Sequence, residues 1–424
     1  MAFCIQWTDF PEEYDNDSLL QNCTLIEDTT ARTYFESKKL YANIFADCMD
    51  CNNSPKNLFI EGDNYPVLKL LKNEYAQKVD IIYIDPPYNT GNSFTYSDNF
   101  SNNDDHHSAW LSFMNRRLLL ARDFLCDSGC IFIAIDQSEL YQLKLLCDLI
   151  FGEDNFVNDF MWLHGKGKKD TWSRTLQQHT LCYAKNKKDL KPFVEKELTS
   201  WAKTNADNDS RGNWFSGSIS FSEKRSNPNH KNYYSIKSPS GIEWTRQWMV
   251  NQEEMKKLLS DNKIYFGPAP EYKGVPRVKI FNNEQTEVIP KNIIDCTDST
   301  RKAQKKLDEL LGYKDSKTHA FDNPKPVDLI EHLIEITDMK NDALIMDFFA
   351  GSGTTFEAVC ALNARSGGKR KCILIQKPEL IQNQTEKNTT QNTDFKTIAD
   401  ICRTRIAIVA QKYGSKIQMK KLQN

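Results

Sequence analysis

Apolar and polar residues alternate along two stretches of the chain in a pattern that predicts strands and helices in turn. Short apolar runs bounded by Gly, Pro or Asp are typical of buried strands, whereas apolar residues recurring every three or four positions are typical of helices. Strands are predicted at residues 57–60, 79–84, 130–135, 343–346 and 372–375, and helices at 65–71, 110–125, 140–151, 327–336 and 398–409. Residues 156–163 and 180–184 are predicted to add a terminal hairpin. This alternation favours crossover units and a mostly parallel α/β sheet.

The alternation is lost between residues 185 and 319, where aromatic and basic residues are frequent. Residues 160–315 hold 28 basic and 19 acidic residues, although the whole chain has a formal net charge of −2. A basic module inside an otherwise acidic chain is typical of an insert that binds a polyanion. A lysine-rich solvated surface explains the same charges, so the pattern alone leaves both interpretations open.

Length and composition restrict the class of protein. The chain has 424 residues, 39% hydrophobic and 26% charged, which is typical of a soluble globular protein with roughly two or three domains. No apolar stretch approaches the roughly 18 residues that span a bilayer, and the acidic N-terminus differs from a signal peptide. We therefore expect a cytoplasmic protein without membrane contact, in which the scattered cysteines are reduced.

The tetrapeptide Asp85-Pro86-Pro87-Tyr88 is the strongest chemical signal in the sequence. It follows the predicted strand at residues 79–84 directly, and two consecutive prolines force the chain out of the sheet there. Open α/β sheets bind ligands at these carboxyl ends. The exocyclic amine of a base becomes nucleophilic when two acceptors hold its N–H bonds, and the Asp85 carboxylate and the Pro86 carbonyl oxygen are such a pair. Tyr88 offers a flat face for stacking.

A second signal is Gly351-Ser352-Gly353, which follows a predicted strand and opens a predicted helix, so that its backbone can approach a ligand closely. A dinucleotide-binding fingerprint requires a small residue at the position that Phe356 occupies. The sequence also lacks a P-loop, a His-Glu-x-x-His motif and any Pro-Cys dipeptide. These observations argue against a dehydrogenase, a P-loop ATPase and a cytosine-C5 methylase.

Together, the two motifs resemble those of amino-group DNA methyltransferases that use S-adenosylmethionine. The catalytic motif precedes the glycine motif, which looks like the order of the permuted beta class. Further segments are similar to the modification subunits of type III restriction systems, and the likeness covers about residues 57–412. The segments that carry it are residues 85–91, 98–100, 264–267, 274–277, 323–326, 347–355 and 373–376.

The resemblance implies a Rossmann-like S-adenosylmethionine-dependent methyltransferase fold, with circularly permuted motif order and an inserted target-recognition domain. The implied regions are an acidic N-terminal extension at 1–56, a catalytic half at 57–184, a DNA-binding target-recognition domain at 185–319, and a cofactor-binding half with a C-terminal helix at 320–424. The implied reaction is site-specific methylation of the N6 atom of a flipped adenine. Implied partners are double-stranded DNA, a restriction subunit and a second copy of the chain.

The resemblance also assigns roles to residues by position. The catalytic residues would be Asp85, Pro86, Pro87 and Tyr88. The residues that would bind the cofactor are Asp63, Lys325, Pro326, Asp347, Phe348, Gly351, Ser352, Gly353, Thr354 and Gln376. Within this set, Lys325 matches the segment near the methionine carboxylate, Asp63 would lie near the adenosine, and Gln376 would meet the ribose hydroxyls, with Glu379 as its alternative. The residues that would contact DNA are Asn89, Tyr96, Lys166, Lys168 and Lys169, and Arg211, Arg225, Arg246 and Arg277 are candidates for reading bases.

Several alternatives remain open at this point. The same acceptor pair would suit the N4 atom of cytosine or an RNA base, although the motif match favours DNA adenine. A DNA-binding specificity subunit with degraded catalysis is a further alternative, against which the intact Asp85 and Gly351 argue. We interpret the adjacent His106 and His107 as surface residues and expect no metal, because no further ligands cluster near them in the sequence.

Overall fold

The computed structural model describes residues 6–21, 23–28, 57–92, 94–95, 98, 100, 105–164, 172–198, 206–282, 285–313, 319–381 and 395–423. The chain divides into two compact units, of which the first comprises residues 1–193 and 290–424 and the second comprises Val194–Ile289. The second unit is shorter than the predicted insert at 185–319, because residues 185–193 and 290–313 belong to the first unit.

The described strands are β1 Thr24–Glu27, β2 Asn57–Glu61, β3 Val79–Ile84, β4 Leu125–Ile135, β5 Phe156–Leu163, β6 Gln177–Ala184, β7 Glu195–Leu198, β8 Trp214–Ser218, β9 Tyr233–Lys237, β10 Glu243–Gln247, β11 Ile264–Tyr265, β12 Arg277–Phe281, β13 Gln285–Val288, β14 Ile293–Ile294, β15 Leu344–Asp347, β16 Lys371–Gln376 and β17 Ile417–Gln423. The described α-helices are α1 Asp17–Leu20, α2 Asn64–Tyr75, α3 His106–Phe124, α4 Leu140–Phe151, α5 Gln252–Ser260, α6 Thr300–Leu310, α7 Val327–Glu335, α8 Thr354–Ser366 and α9 Ile398–Tyr413. Short 3-10 turns occupy Glu13–Asp15, Glu153–Asn155 and Glu223–Arg225.

One sheet organises the first unit, with the strand order β1-β17-β2-β16-β15-β3-β4-β6-β5-β14. The strands from β17 to β4 pair in parallel, which confirms the predicted parallel α/β core. The predicted hairpin is present as β5 and β6, but the prediction that it ends the sheet is wrong, because β14 pairs with β5 beyond it. A strand of two residues is too short to leave a periodic signal in the sequence.

Side chains from the central strands are buried on both faces of the sheet. Ile82 packs with Leu58 and Ile60 in a core that includes α2, α3 and α4, whereas Phe59 and Ile81 pack in a second core with α7, α8 and α9. Successive side chains of a strand point to opposite faces, so a strand covered on both sides must be apolar throughout. This double coverage explains why the predicted strands read as continuous apolar runs.

The carboxyl ends of β2, β16, β15 and β3 are neighbours in the sheet. The segments that follow these strands contain Asp63, Lys377, the glycine motif and the Asp85 motif, respectively. Parallel pairing therefore brings four segments that are distant in sequence to one edge of the sheet, where ligands bind in folds of this type.

The described acidic residues near the N-terminus contact basic residues of α2 and α3. Asp15 pairs with Arg116 at 2.8 Å and accepts a hydrogen bond from the Tyr65 hydroxyl at 2.9 Å, and Glu12 pairs with Arg117 at 2.7 Å. Partial burial of Asp15 opposes ionisation, but hydrogen bonds from Arg116, the Glu12 amide and Tyr65 lower its pKa to about 2. This part of the predicted acidic extension therefore neutralises the charge of α3.

The second unit has its own small core and three sheets, ordered β10-β9, β11-β12-β8 and β13-β7. Trp214 and Trp248 are buried, in keeping with the expectation that most aromatics here form core. Three of the four candidate base-reading arginines have partners within the unit: Arg211 pairs with Asp209, Arg246 with Glu223, and Arg277 donates to the Ser216 carbonyl. Across the described parts of both units, no helix is long and apolar enough to cross a membrane.

We expect Asn57→Ala to destabilise the first unit, because Asn57 joins three strands of the sheet. Its amide donates to the Lys416 carbonyl at 2.8 Å just before β17, and its oxygen accepts from the Cys372 amide of β16 at 3.0 Å. Losing buried partners of this kind costs about 1–3 kcal/mol of unfolding free energy. Urea denaturation measures the loss, and the exposed Asn73→Ala should change stability by less than about 0.5 kcal/mol. Equal effects of the two variants would contradict this role.

Candidate active site

Asp85 lies directly after the last residue of β3, where the two prolines end the strand. Trp110 of α3 is fully buried, and its indole N–H donates to the Pro87 carbonyl oxygen at 2.7 Å. The chain then turns at Asn89, which adopts a left-handed conformation with φ of +59°. The catalytic motif is therefore a rigid turn that rests on α3.

Asp85, Tyr88 and Lys325 form a compact polar cluster. The Lys325 ammonium contacts Asp85 Oδ1 at 2.9 Å and Oδ2 at 2.8 Å, and it also donates to the Tyr88 hydroxyl at 2.8 Å. The Tyr88 hydroxyl donates to Asp85 Oδ1 at 2.6 Å. Lys325 is buried, whereas the Asp85 side chain keeps 28% of its surface exposed. Oδ1 thus has two donors and Oδ2 has one, which leaves Oδ2 more acceptor capacity.

Two further titratable groups lie within electrostatic range of Lys325. Burial lowers the pKa of His164, at the end of β5, and the positive charge of Lys325 lowers it further. Burial raises the pKa of Asp136, which follows β4, while hydrogen bonds from Ser138 oppose that rise. The Asp85 cluster therefore lies among partly desolvated groups, where hydrogen bonds and charges act more strongly than in water.

The glycine motif is held by hydrogen bonds from the strands beside it. Asp347 accepts from the Thr355 hydroxyl at 2.5 Å and from the Phe349 amide at 3.0 Å. The Gly351 amide donates to the side-chain oxygen of Gln376 at 2.7 Å, so the amide group of Gln376 shapes the loop. Gly351 and Gly353 have φ of +54° and +83°, a conformation that favours glycine.

Arg405, which was not among the predicted site residues, supports the same loop from α9. Its guanidinium is buried and donates to the Ser352 hydroxyl at 2.9 Å and to the Thr354 hydroxyl at 2.7 Å, while it pairs with Glu357 at 2.9 Å. Arg405 thus holds the loop from beneath through the hydroxyls of Ser352 and Thr354.

Asp63 caps the N-terminus of α2 by accepting a hydrogen bond from the Tyr65 amide at 3.0 Å. It also pairs with Arg117 at 3.3 Å and with Lys377 at 3.5 Å. A pocket of about 560 Å³ lies beside it, bordered also by Tyr14 and Glu61. This pocket has the size of a small-molecule site at the expected edge of the sheet.

The catalytic turn and the segment of Lys325 are joined by a reciprocal pair of hydrogen bonds. The Thr95 amide donates to the Asp322 carboxylate at 3.0 Å, and the Asp322 amide donates to the Thr95 hydroxyl at 3.2 Å. Pro326 is buried and precedes α7 as its N-cap residue. These contacts fix Lys325 opposite Asp85.

The structure brings together Asp85, Tyr88, Lys325 and the glycine loop. Phe348 is buried beneath that loop, and its carbonyl accepts a hydrogen bond from Asn64 at 2.7 Å. Asn89 is buried, and its side chain bonds to neighbouring parts of the first unit, so its contact with DNA stays a prediction. The other predicted DNA contacts, Tyr96, Lys166, Lys168 and Lys169, lie outside the described residues.

A protein-family model described as DNA methylase matches residues 79–387, which is most of the chain and includes both motifs. The chain belongs to the DNA methylase family. It is 35% identical over 390 residues to the StyLTI Mod subunit, a type III restriction-modification enzyme of Salmonella typhimurium, and 35% identical over 429 residues to the EcoPI Mod subunit of Escherichia phage P1. Both alignments cover 85% of this chain, but only 58% and 63% of those relatives. The predicted resemblance to type III modification subunits is confirmed.

A further relative is the type II methyltransferase M.KpnI of Klebsiella pneumoniae, 30% identical over 83% of this chain and 87% of the relative. Among solved structures, a DNA modification methylase of Thermus thermophilus complexed with S-adenosyl-L-methionine covers 86% of this chain and 98% of its own, at 12% identity and a TM-score of 0.40. The family membership and the observed sheet confirm the predicted Rossmann-like methyltransferase fold, with the catalytic motif ahead of the glycine motif.

We expect Asp347 to make stability fall as pH rises from about 4 to 7. Burial raises the pKa of Asp347 from 3.8 to about 7, although hydrogen bonds from Thr355 and the Phe349 amide oppose this. Between these two pKa values the native state holds a proton that the unfolded state has released. The stabilising contribution of Asp347 to the free energy of unfolding is therefore complete below about pH 4 and is lost by about pH 7.

Urea unfolding of the wild type and Asp347→Asn at a series of pH values tests this expectation. The stability of the wild type relative to the variant should fall by up to about 1.4 kcal/mol per pH unit within that window. The exposed Asp127→Asn should follow the wild type throughout. If the difference in unfolding free energy between the wild type and Asp347→Asn did not change with pH, the pKa of Asp347 would not be raised in the native state.

Proposed function

We propose that the chain is an S-adenosylmethionine-dependent, site-specific DNA methyltransferase that acts on the N6 atom of adenine within a restriction-modification system. The observation that carries the proposal is the cluster of Asp85, Tyr88 and Lys325, which lies one strand away from the glycine loop at the same edge of the sheet. Family membership supports methylation of an exocyclic amine, and the names of the type III relatives support the restriction-modification context.

The residues present fit S-adenosylmethionine. A Cβ added at Gly353 would lie 3.2 Å from Cys402 Sγ, and one at Gly351 would lie 3.4 Å from the Phe321 ring, so the loop is packed closely from behind. The pocket beside Asp63 would receive the adenosine, with the Asp63 carboxylate as an acceptor for its amino group. Lys325 offers the positive charge that the methionine carboxylate requires.

Asp85 and the Pro86 carbonyl would accept the two N–H bonds of the target amine. The bound cofactor supplies an electrophilic methyl group. Asp85 Oδ2 has the spare acceptor capacity for the amine, and its hydrogen bond strengthens as positive charge develops on the nitrogen. Tyr88 would stack on the flipped base, and its hydroxyl bond to Asp85 fixes the orientation of the ring.

Lys325 would serve two anions once cofactor binding draws one of its three N–H donors away from Asp85 or Tyr88, which use all three in this structure. It contacts both oxygens of Asp85, and the family resemblance also assigns it to the methionine carboxylate. One buried cation between the target and cofactor sides would hold both at a fixed separation, which lowers the entropic cost of bringing the reacting atoms together.

The proposed partners are double-stranded DNA, a restriction subunit and a second copy of the chain. The second unit, Val194–Ile289, lies within the predicted target-recognition region, and we assign DNA reading to it. The chain spans about three fifths of the length of its type III relatives, so partner contacts made by the rest of those proteins fall outside this proposal. With DNA as its substrate, we expect the protein to act in the cytoplasm.

Replacing the catalytic carboxylate tests the reaction. Plasmid DNA from a methylation-free host expressing the wild type should carry N6-methyladenine at one recurring motif, as read by long-read sequencing and nucleoside mass spectrometry. Asp85→Asn presents an N–H group to the target amine, and we expect its methylation rate to fall by at least about 10³-fold.

The exposed Asp127→Asn is the control and should methylate like the wild type. N4-methylcytosine in place of N6-methyladenine would overturn the choice of base. If the wild type is folded and binds the cofactor but leaves the DNA unmodified, the proposal that this chain methylates DNA by itself would be overturned.

A matched pair of glycine variants tests the cofactor loop. Gly353 and Gly312 have φ of +83° and +82°, but an added Cβ meets Cys402 at Gly353 and nothing within 4 Å at Gly312. Both alanine variants carry a similar backbone strain of about 1–2 kcal/mol. We expect only Gly353→Ala to weaken S-adenosylmethionine binding, by about tenfold or more, as measured by calorimetry. If the two variants bind S-adenosylmethionine with equal affinity, the glycine loop is not part of the cofactor site.

A further inference from the structure

Asn89 anchors the chain as it leaves the catalytic motif. Its side-chain amide donates to Glu139 Oε1 at 2.7 Å and to the His106 carbonyl at 3.2 Å, and its oxygen accepts from the Phe100 amide at 3.3 Å. Its backbone amide donates to Asp98 at 2.8 Å. Every polar group of this side chain is therefore used to fasten the turn that follows Tyr88.

Glu139 is the least exposed member of this network. It is fully buried just before α4, and Oε1 also lies 2.7 Å from His107 Nδ1 at the start of α3. Burial raises the pKa of Glu139, whereas hydrogen bonds from Asn89 and His107 lower it. Its second oxygen, Oε2, is buried without a hydrogen-bond partner among the described residues. A carboxyl group is costly to bury, and the hydrogen bonds of Oε1 with Asn89 and His107 offset part of that cost.

We propose that Glu139 is a positioning residue for methyl transfer. By holding Asn89 in the left-handed conformation, Glu139 fixes the turn that carries Asp85 and the Pro86 carbonyl. Asn adopts that conformation more readily than most other non-glycine residues. The hydrogen bonds to its side chain therefore select one of the conformations open to it and fix the direction in which the turn leaves Tyr88. This inference rests on the proposed function, because it names a residue that acts on the same reaction through Asn89.

The network continues from Asn89 towards the glycine motif. Phe100, whose amide donates to Asn89, packs on Phe113 with ring centroids 5.2 Å apart, and Phe113 packs on Phe349 at 5.8 Å. Phe349 belongs to the glycine motif, so Phe113 of α3 contacts both the loop after the catalytic turn and the predicted cofactor loop. Displacement of Asn89 would therefore disturb the alignment of the catalytic turn with the glycine motif.

A metal site is the competing interpretation of the same residues. His106, His107 and Glu139 have potential ligand atoms within 4.8 Å of one another, so the fold adds to the two histidines a possible ligand that is distant in sequence. However, Glu139 Oε1 and His107 Nδ1 are 2.7 Å apart, which is a hydrogen-bond distance. Two ligands of one zinc ion lie about 3.3 Å apart. The geometry therefore favours a hydrogen-bonded network.

Glu139→Ala and Glu139→Gln separate hydrogen bonding from charge. The glutamine keeps an oxygen that can accept from both Asn89 and His107, whereas the alanine does not. In single-turnover methylation we expect Glu139→Ala to lower the transfer rate by about 10- to 100-fold, because small displacements of reacting groups have effects of this size. Glu139→Gln should recover most of the rate, and the dissociation constant for S-adenosylmethionine should be unchanged in both variants.

An exchange of partners tests the contact with Asn89 directly. Asn89→Asp places a carboxylate against that of Glu139 and should lower the transfer rate at least as much as Glu139→Ala. The double variant Asn89→Asp with Glu139→Gln restores a donor and an acceptor, and it should recover part of the loss. Additive losses in the double variant would overturn the proposal.

Hydrogen exchange gives a readout that does not depend on methylation. The amides of Asn89, Thr90 and Gly91 all donate to Asp98 and should exchange faster in Glu139→Ala, but not in Glu139→Gln or in the exposed control Glu153→Ala. If the wild type transfers no methyl group, the proposed function fails while this measurement still decides whether Glu139 holds the turn. Unchanged exchange in Glu139→Ala, or wild-type activity abolished by a zinc chelator together with loss in His106→Ala, would overturn the proposal.

Discussion

The ion pair between Lys325 and Asp85 joins two segments that lie 240 positions apart in the sequence. Most of the arrangement around it exists because parallel strands end at one edge of the sheet. Asp85 follows β3 at that edge, and the glycine motif follows the neighbouring strand β15. The second unit occupies part of the sequence between these segments. The order of the motifs along the chain therefore has no bearing on their proximity, which the pairing of β15 with β3 determines.

Buried polar side chains fix the loops of the site. Arg405 lies under the glycine motif, Arg117 lies between Asn64 and Glu12, and Glu139 lies behind the catalytic turn. Each is costly to desolvate, and its hydrogen bonds to the neighbouring loops offset that cost, in full or, for Glu139, through one carboxylate oxygen. A loop held in this way has few alternative conformations, which suits the proposed methyl transfer, because that reaction would depend on the placement of two reacting groups.

The sequence contained a signal for some of these supports. Arg117 interrupts the apolar stripe of α3 between Met114 and Ala121, and Arg405 interrupts that of α9 between Cys402 and Val409. A charged residue on the buried face of a predicted helix indicates a buried partner, but not which one. Glu139 gave no such signal, because its partner Asn89 is 50 positions away and lies on a loop.

The sequence by itself determined the elements of the sheet and the chemistry at their ends. Continuous apolar runs predicted β2, β3, β15 and β16, and the Asp85 motif with the glycine motif predicted the family, because both patterns depend on neighbouring residues. Only the tertiary structure decided that β1, β14 and β17 extend the sheet, that Lys325 meets Asp85, and that Gln376 binds the Gly351 amide. Those outcomes depend on strand pairing and on burial of polar groups, which arise from contacts between distant residues and leave no periodic trace in the chain.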